Sequence, residues 1–394
     1  MNLPMQGFKV LDLSRTLAGP YATMLLADMG AEVIKVEQPL VGDESRRFTP
    51  PSWNGESCYY LAANRNKRGI TLDLKSEEGV KIVKQLVKDA DVFVENFRTG
   101  TMEKLGLGYD ILKEINPRII YCSISGFGRT GPEKNRAGYD VLMQGFAGLM
   151  SITGEADKPV KAGMSIADLS TGLFAAFAIS SALHGVKQTG KGQYLDVSLL
   201  DGQVALLNHM VTGFYATGSY PKRMGTAHAT LCPYQGFKAS DKDVIIAVAN
   251  DGLWKKLCIG LEWNDLLENE KYKLNIDRVK YREELVTILS ERFSQMKSED
   301  IIEKLERVGV PCGPIQTIEE VLTHPQVLAR EAMVEVNHPN VPNLKVPAFP
   351  VKFSDTQTSV RYHPPLLGEH TEEVLLEIGY DQETIKQLKS KNII

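Results

Sequence analysis

Short runs of β-branched and other apolar residues alternate, over the first 125 residues, with longer stretches whose apolar positions recur every three or four residues. "FKVLDLS" (8–14) and "AEVIKVE" (31–37) predict strands, and "PYATMLLADMG" (20–30) between them predicts a helix. Pro20 suits its first turn and Gly30 its exit. "SEEGVKIVKQLVKDA" (76–90) reads as an amphipathic helix, followed by a strand in "DVFVENF" (91–97), a helix near 100–115 and a strand in "RIIYCSIS" (118–125). Strands that alternate with helices predict parallel βαβ units in an open, doubly wound α/β sheet.

The pattern then changes. Residues 168–187 and 199–218 read as long apolar helices, "DVIIAVA" (243–249) as a strand, and 251–261, 278–295 and 298–308 as helices. "GVPCGPI" (309–315) is a turn, and "HPNVPNLKVPAFPVKFS" (338–354) is extended and proline-rich. No internal repeat or low-complexity tract interrupts the chain, and boundaries near 190–225 and 325–345 would isolate a second domain.

Composition narrows the class. With 394 residues the chain suggests about two domains, and 43% apolar with 24% charged residues is ordinary for a soluble globular protein. A net charge of −4 argues against a general nucleic-acid binder. "MNLPMQGFKVLDL" lacks the pattern of a signal peptide, and no run of about 18 uninterrupted apolar residues predicts a membrane span. Cys58, Cys122, Cys232, Cys258 and Cys312 are scattered without C-x-x-C spacing, which fits a reducing cytoplasm better than a disulfide framework or a zinc site.

Three features carry candidate chemistry. Glu37 ends the second strand, where a nicotinamide-dependent dehydrogenase holds a ribose. The preceding turn, "SRTLAGP", has one glycine and no G-x-G-x-x-G, so that reading fails and Glu37 is expected to be a surface charge. Arg65, Lys67, Arg68 and Lys75, with Arg98 and Lys104, are either a solvated face or a phosphate cradle at the carboxyl ends of parallel strands. Asp168, alone in "SIADLSTGLFAA", is either a helix N-cap for the N–H of Ser170 or Thr171 or an ionised nucleophile beside an apolar wall formed by residues such as Ile166 and Phe174.

"VLDLSRTLAGPYATMLLADMGAEVIKVE", "NRNKRGITLDLK", "DVFVENFRTGTMEKLGLGY", "IIYCSISGFGRTGP", "IADLSTGL" and "PPLLGEHT" follow one another along the chain. Together they resemble the class III coenzyme A transferases, which include formyl-CoA and carnitine-CoA transferases, over about residues 5 to 380. The resemblance implies a homodimer of interlocked subunits, each with a Rossmann-like large domain built from both chain ends. On this chain that gives a large domain at 1–195, a linker at 196–224, a small domain at 225–325, a linker at 326–344 and a returning segment at 345–394.

It also implies that Asp168 is the nucleophile, passing through a mixed anhydride to an aspartyl-CoA thioester with no metal or further cofactor, CoA being a substrate. The implied CoA-binding set is Arg15, Leu72, Lys75, Asn96, Phe97, Arg98, Lys104 and Arg136, with lysine at 104 where an arginine is usual. Gln38 and Ala137 stand where some members place basic contacts. The related α-methylacyl-CoA racemases use a His/Asp pair, whereas "NRAGYDVLMQ" has Tyr139 and Asp140 at that place, which favours transfer over racemisation. A non-catalytic CoA-binding protein is the third reading.

"NRAGYD" and "RMGTAHATLCPYQGF" are most similar to members that use succinyl-CoA and a dicarboxylate acceptor, and the second stretch stands where other members carry a glycine-rich loop. Arg46 and Arg47, in "GDESRRF", are either surface-loop charges or candidates to grip the distal carboxylate, Arg46 being the one expected to do so, with Tyr139 and Asp140 on the acceptor side. No nucleic-acid or membrane partner is expected.

Overall fold

The computed structural model describes residues 3–394, which divide into two compact units: one comprises residues up to 149, 162–218 and 329–394, the other 150–161 and 219–328. In the first unit, β1 (Lys9–Asp12), α1 (Ala18–Asp28), β2 (Glu32–Glu37), β3 (Lys67–Thr71), α2 (Glu77–Val87), β4 (Val92–Glu95), α3 (Tyr109–Ile115), β5 (Ile120–Ser125), α4 (Asp140–Phe146), α5 (Ile166–Thr189) and β6 (Tyr194–Ser198) follow in order. All the strand pairs of this sheet are parallel, in the order β3-β2-β1-β4-β5-β6. That is the doubly wound order, whose direction of winding reverses between β1 and β4, and such sheets bind ligands at that reversal, outside the carboxyl ends of the strands.

Alternation along each strand feeds two cores. Val10, Val33, Val92 and Ile120 pack with α1 and α5 on one face, while Leu11, Phe93 and Tyr121 pack with Ile82, Val83 and Leu86 of α2 on the other. Each fully buried side chain of this size is worth about 1.5–3 kcal/mol. The amphipathic stretch at 76–90 forms α2 as predicted, and Ser76 caps it by accepting the N–H of Gly79, with Glu77 and Glu78 in the first turn. After β6 come α6 (Leu199–Leu207) and α7 (His209–Thr217), which split the single predicted helix at Asn208, where φ is +41°.

The second unit contains the antiparallel sheet β7 (Tyr234–Lys238), β8 (Asp243–Ala247) and β9 (Cys312–Pro314), with α8 (Asp251–Gly260), α9 (Arg282–Ser294) and α10 (Ser298–Arg307). Trp254, Leu289, Phe293 and Ile301 fill its core. The predicted turn at 309–315 therefore holds an edge strand, and the predicted helix at 278–295 is broken before Arg282.

The chain ends in the first unit. A hairpin of β10 (Met333–Val336) and β11 (Leu344–Pro347) precedes α11 (Thr371–Glu377) and α12 (Gln382–Ser390). Val374, Leu375, Ile385 and Leu388 complete the sheet's second core face. Arg68 of β3 grips Glu373 and Glu377 of α11, both at 2.8 Å.

α5 is long and apolar enough to span a membrane, with a window of mean hydropathy 1.6, where the sequence predicted no such segment. Half of that window is buried within the protein, as in the core helix of a globular domain.

Candidate active site

The loops at the carboxyl ends of β1, β4 and β5 form a cleft of about 240 Å³. Arg15 to Ala18, Asn96 to Thr99 and Ser125 to Gly126 line it, and Arg136, Tyr139 and Asp168 face it from the following segments. A second cleft of about 420 Å³ shares Arg15, Phe97 and Arg98 with the first and runs on past Gln38, Leu72 and Lys75. The two clefts thus border one another, forming a groove lined in common by Arg15, Phe97 and Arg98.

Asn96 does not reach into the groove as a free contact. Its side-chain amide accepts the N–H of Arg15 at 2.8 Å and donates to the Arg15 carbonyl at 2.7 Å, so it fixes the β1–α1 loop. The Arg15 guanidinium then lies 4.4 Å from the centre of the Phe97 ring, with Glu44 3.6 Å away.

Two glycines shape the opposite rim. A side chain at Gly126 would sit 2.7 Å from the Cα of Gly138, so the two backbones touch and the 136–139 segment lies directly on the loop after β5. Arg136 is held there between Phe127 and Phe146, its guanidinium 5.1 and 5.2 Å from their ring centres. Arg129, not singled out from the sequence, anchors the floor: it pairs with buried Glu95 at 2.8 Å and donates to Ser123 at 2.6 Å and to the carbonyl of Phe97 at 2.8 Å. The signal was present as the single arginine of "SGFGRTGP".

Asp168 lies in the first turn of α5, but it is not the N-cap. Ser165 holds that position, and no side chain of the helix caps it. Asp140 does so from α4, its Oδ1 accepting the N–H of Ala167 at 2.8 Å, while Oδ2 accepts from Gln144 at 2.7 Å. Gln144 in turn accepts the N–H of Ala162 at 2.8 Å. Burial, and then the neighbouring charge of Asp140, push the Asp168 carboxyl up to about 7. Desolvation and a like charge thus work against the ionised form that a helix N-terminus was expected to favour.

Arg46 is also corrected. Its guanidinium makes a two-pronged pair with Glu37, both contacts at 2.7 Å, donates to the carbonyl of Pro365 at 2.9 Å, and stacks 3.7 Å from the Tyr60 ring. It is engaged inside the protein and lines neither cleft. Glu37 is accordingly a buried partner, not a surface charge.

Of the first basic segment three cations are neither a solvated face nor part of a phosphate cradle. Lys67 is fully buried on Asp12 at 3.1 Å, Arg65 pairs with Asp28 at 2.6 Å, and Arg68 ties β3 to α11, so only Lys75 of that group reaches the groove. Lys104 lines a separate depression that also includes Lys75, Lys81 and Lys84. Asp140 supports Asp168 from behind and does not line the cleft. The stretch "RMGTAHATLCPY" belongs to the second unit, where Arg282 donates to the carbonyls of His228, Ala229 and Leu231. Among the described residues no group of three or more His, Cys, Asp or Glu side chains could hold a metal ion.

Residues 5–371 match the family model described as CoA-transferase family III. A human protein named succinyl-CoA:glutarate CoA-transferase is 44% identical over 393 residues, which covers 99% of this chain and 90% of that one. A succinate–glutarate CoA-transferase from Agrobacterium fabrum is 42% identical over 387 residues, 95% of this chain and 96% of its own. The crystal structure of a CaiB/BaiF family protein from Brucella suis superimposes with a TM-score of 0.86 at 42% identity, covering 96% of this chain and all of that one.

Proposed function

The chain belongs to CoA-transferase family III and is an enzyme that transfers coenzyme A, and on that premise we propose that it moves CoA from succinyl-CoA to a dicarboxylic acid of the glutarate class through Asp168. The observation that carries the reading is the position of this one carboxyl. It faces a cleft lined by Arg15, Arg98 and Arg136, at the sheet's reversal point, and no histidine is among the described residues that line it.

An oxygen of ionised Asp168 attacks the thioester carbonyl of the donor. The C–S bond breaks, CoA leaves as a thiolate, and the succinyl group is held as a mixed anhydride. The thiolate then attacks the aspartyl carbonyl, the anhydride C–O bond breaks, and succinate leaves as its carboxylate. The acceptor carboxylate attacks the aspartyl thioester and the same two steps run in reverse, which regenerates Asp168 with no net proton change.

Burial and Asp140 make the ionised Asp168 costly. Each acylation removes that charge, so the site favours the covalent intermediates relative to the free carboxylate. Leu17 and Leu199 line the same cleft and keep water from the anhydride. Arg15, Phe97, Arg98, Leu72 and Lys75 are assigned to CoA along the two clefts, Lys104 to the depression that shares Lys75 with the second of them, and Asn96 to holding Arg15, while Arg136 and Tyr139 face the reacting end. The names of the human and Agrobacterium relatives support the choice of acids.

The interlocked homodimer is part of the same proposal. Leu173, Phe174 and Phe177 leave an apolar stripe exposed on α5, with Phe177 at 74% exposure, which supports a second subunit against this helix. The activity is tested with succinyl-CoA and a panel of mono- and dicarboxylates, read by mass spectrometry of the acyl-CoA products. Glutaryl-CoA should form readily and acetyl-CoA poorly.

A further inference from the structure

Between β1 and α1 the chain turns through residues whose backbone is tied almost wholly to side chains from other elements. The N–H of Ser14 donates to Asp12 at 2.9 Å and its carbonyl accepts from the Lys35 ammonium at 2.9 Å. Asn96 takes both polar groups of Arg15. The N–H of Thr16 donates to the two carboxylate oxygens of Asp43, at 3.0 and 3.2 Å.

Thr16 sits at φ +72°, a left-handed conformation that a β-branched residue adopts only under constraint. Its hydroxyl makes no hydrogen bond among the described residues, so nothing in its own side chain explains the conformation. Asp43 does. Its side chain is fully buried, as is that of Lys35 2.9 Å away. It also accepts the N–H and hydroxyl of Ser45, each at 2.9 Å. Burial alone would raise its pKa, but Lys35 and these donors hold it well below the usual carboxylate range.

Both neighbours of Thr16 are fixed independently. Arg15 is clamped by Asn96, and α1 is packed so closely on α5 that a side chain at Gly172 would meet the Ala18 carbonyl at 2.8 Å. A relaxed Thr16 therefore has to displace one of them, and both border the Asp168 cleft.

We propose that Asp43, backed by Lys35, is a positioning residue for CoA transfer: it holds Thr16 left-handed, and that dihedral aims Arg15 and the first turn of α1 at the bound CoA thioester. The inference rests on the transferase reading above.

The test compares wild type, Asp43→Asn, Thr16→Gly and the double variant by calorimetric binding of CoA, with thermal melts as a control. Glycine takes the left-handed conformation without strain, so the two substitutions should be coupled. Asp43→Asn should weaken CoA binding by about tenfold when residue 16 is threonine and by less than about threefold when it is glycine. An equal loss in both backgrounds would overturn the proposal, because Asp43 would then act only by neutralising Lys35. Should Asp43→Asn not fold, Thr16→Pro decides, since proline fixes φ near −65° and has no N–H for Asp43. CoA binding within about threefold of Thr16→Gly would overturn the proposal, and a loss of about tenfold or more would support it. A wild type that binds CoA without transferring it would remove the transferase reading and leave this comparison intact.

Discussion

Asp140 accepts the N–H of Ala167 at 2.8 Å, and in capping α5 from outside it brings a second negative charge to the residue before Asp168. Helix start and nucleophile are thus coupled through one carboxylate. The free enzyme should show kcat/KM rising about tenfold per pH unit below about 7 and levelling above it, because only ionised Asp168 attacks and burial with Asp140 sets its midpoint near 7. Asp140→Asn removes the like charge, so the midpoint should move to lower pH. The same change faces an amide N–H₂ toward Gln144 and should cost about 1–3 kcal/mol of stability. A pH–rate profile of both proteins, with urea melts, checks the two halves. An unmoved midpoint would show that Asp140 does not act on Asp168.

Arg46→Ala should damage folding and not acceptor choice. It strips the buried Glu37 carboxylate of its two-pronged partner, a loss of about 3–5 kcal/mol for a broken buried pair. Denaturant unfolding should show that loss, while an acceptor panel shows equal changes for mono- and dicarboxylates. A selective loss with dicarboxylates would return Arg46 to the acceptor pocket.

Gly138→Ala would place a methyl group 2.6 Å from the Cα of Gly126. Backbone must move, and with it the segment carrying Arg136 and Tyr139. Transfer should fall by about a hundredfold in kcat/KM, the loss reported for small displacements of positioning groups, while the overall circular dichroism is kept. Activity within about threefold of wild type would mean this rim is not used.

Interlocked subunits cannot part without unfolding at least one of them. Analytical ultracentrifugation on dilution should therefore show dimer down to the lowest detectable concentration. A folded monomer in reversible exchange would defeat the interlock and leave the apolar stripe of Leu173, Phe174 and Phe177 without its explanation.

The sheet was legible because each strand is a short apolar run and each helix a periodic one, as in the amphipathic stretch that forms α2. Arg15, Phe97, Arg98, Arg136 and Asp168 were legible as a set only through their resemblance to a family, since they lie on separate loops that the topology gathers. Lys67 and Arg46 were misread, and Lys35 was not singled out at all, for one physical reason. Local sequence shows a cation but not the distant carboxylate, Asp43, Asp12 or Glu37, that buries with it. The same limit hid the capping role of Asp140, which was read as an acceptor contact and lies 27 residues from the N–H it caps.

The central claim is that Asp168 carries CoA covalently, and intact-protein mass spectrometry tests it most directly. Wild type incubated with succinyl-CoA and no acceptor should gain the mass of CoA, hydroxylamine should remove it, and peptide mapping should locate it on Asp168. Asp168→Ala should gain nothing and transfer nothing. An Asp168→Ala protein with full transfer activity, or a CoA adduct on any other residue, would contradict the account.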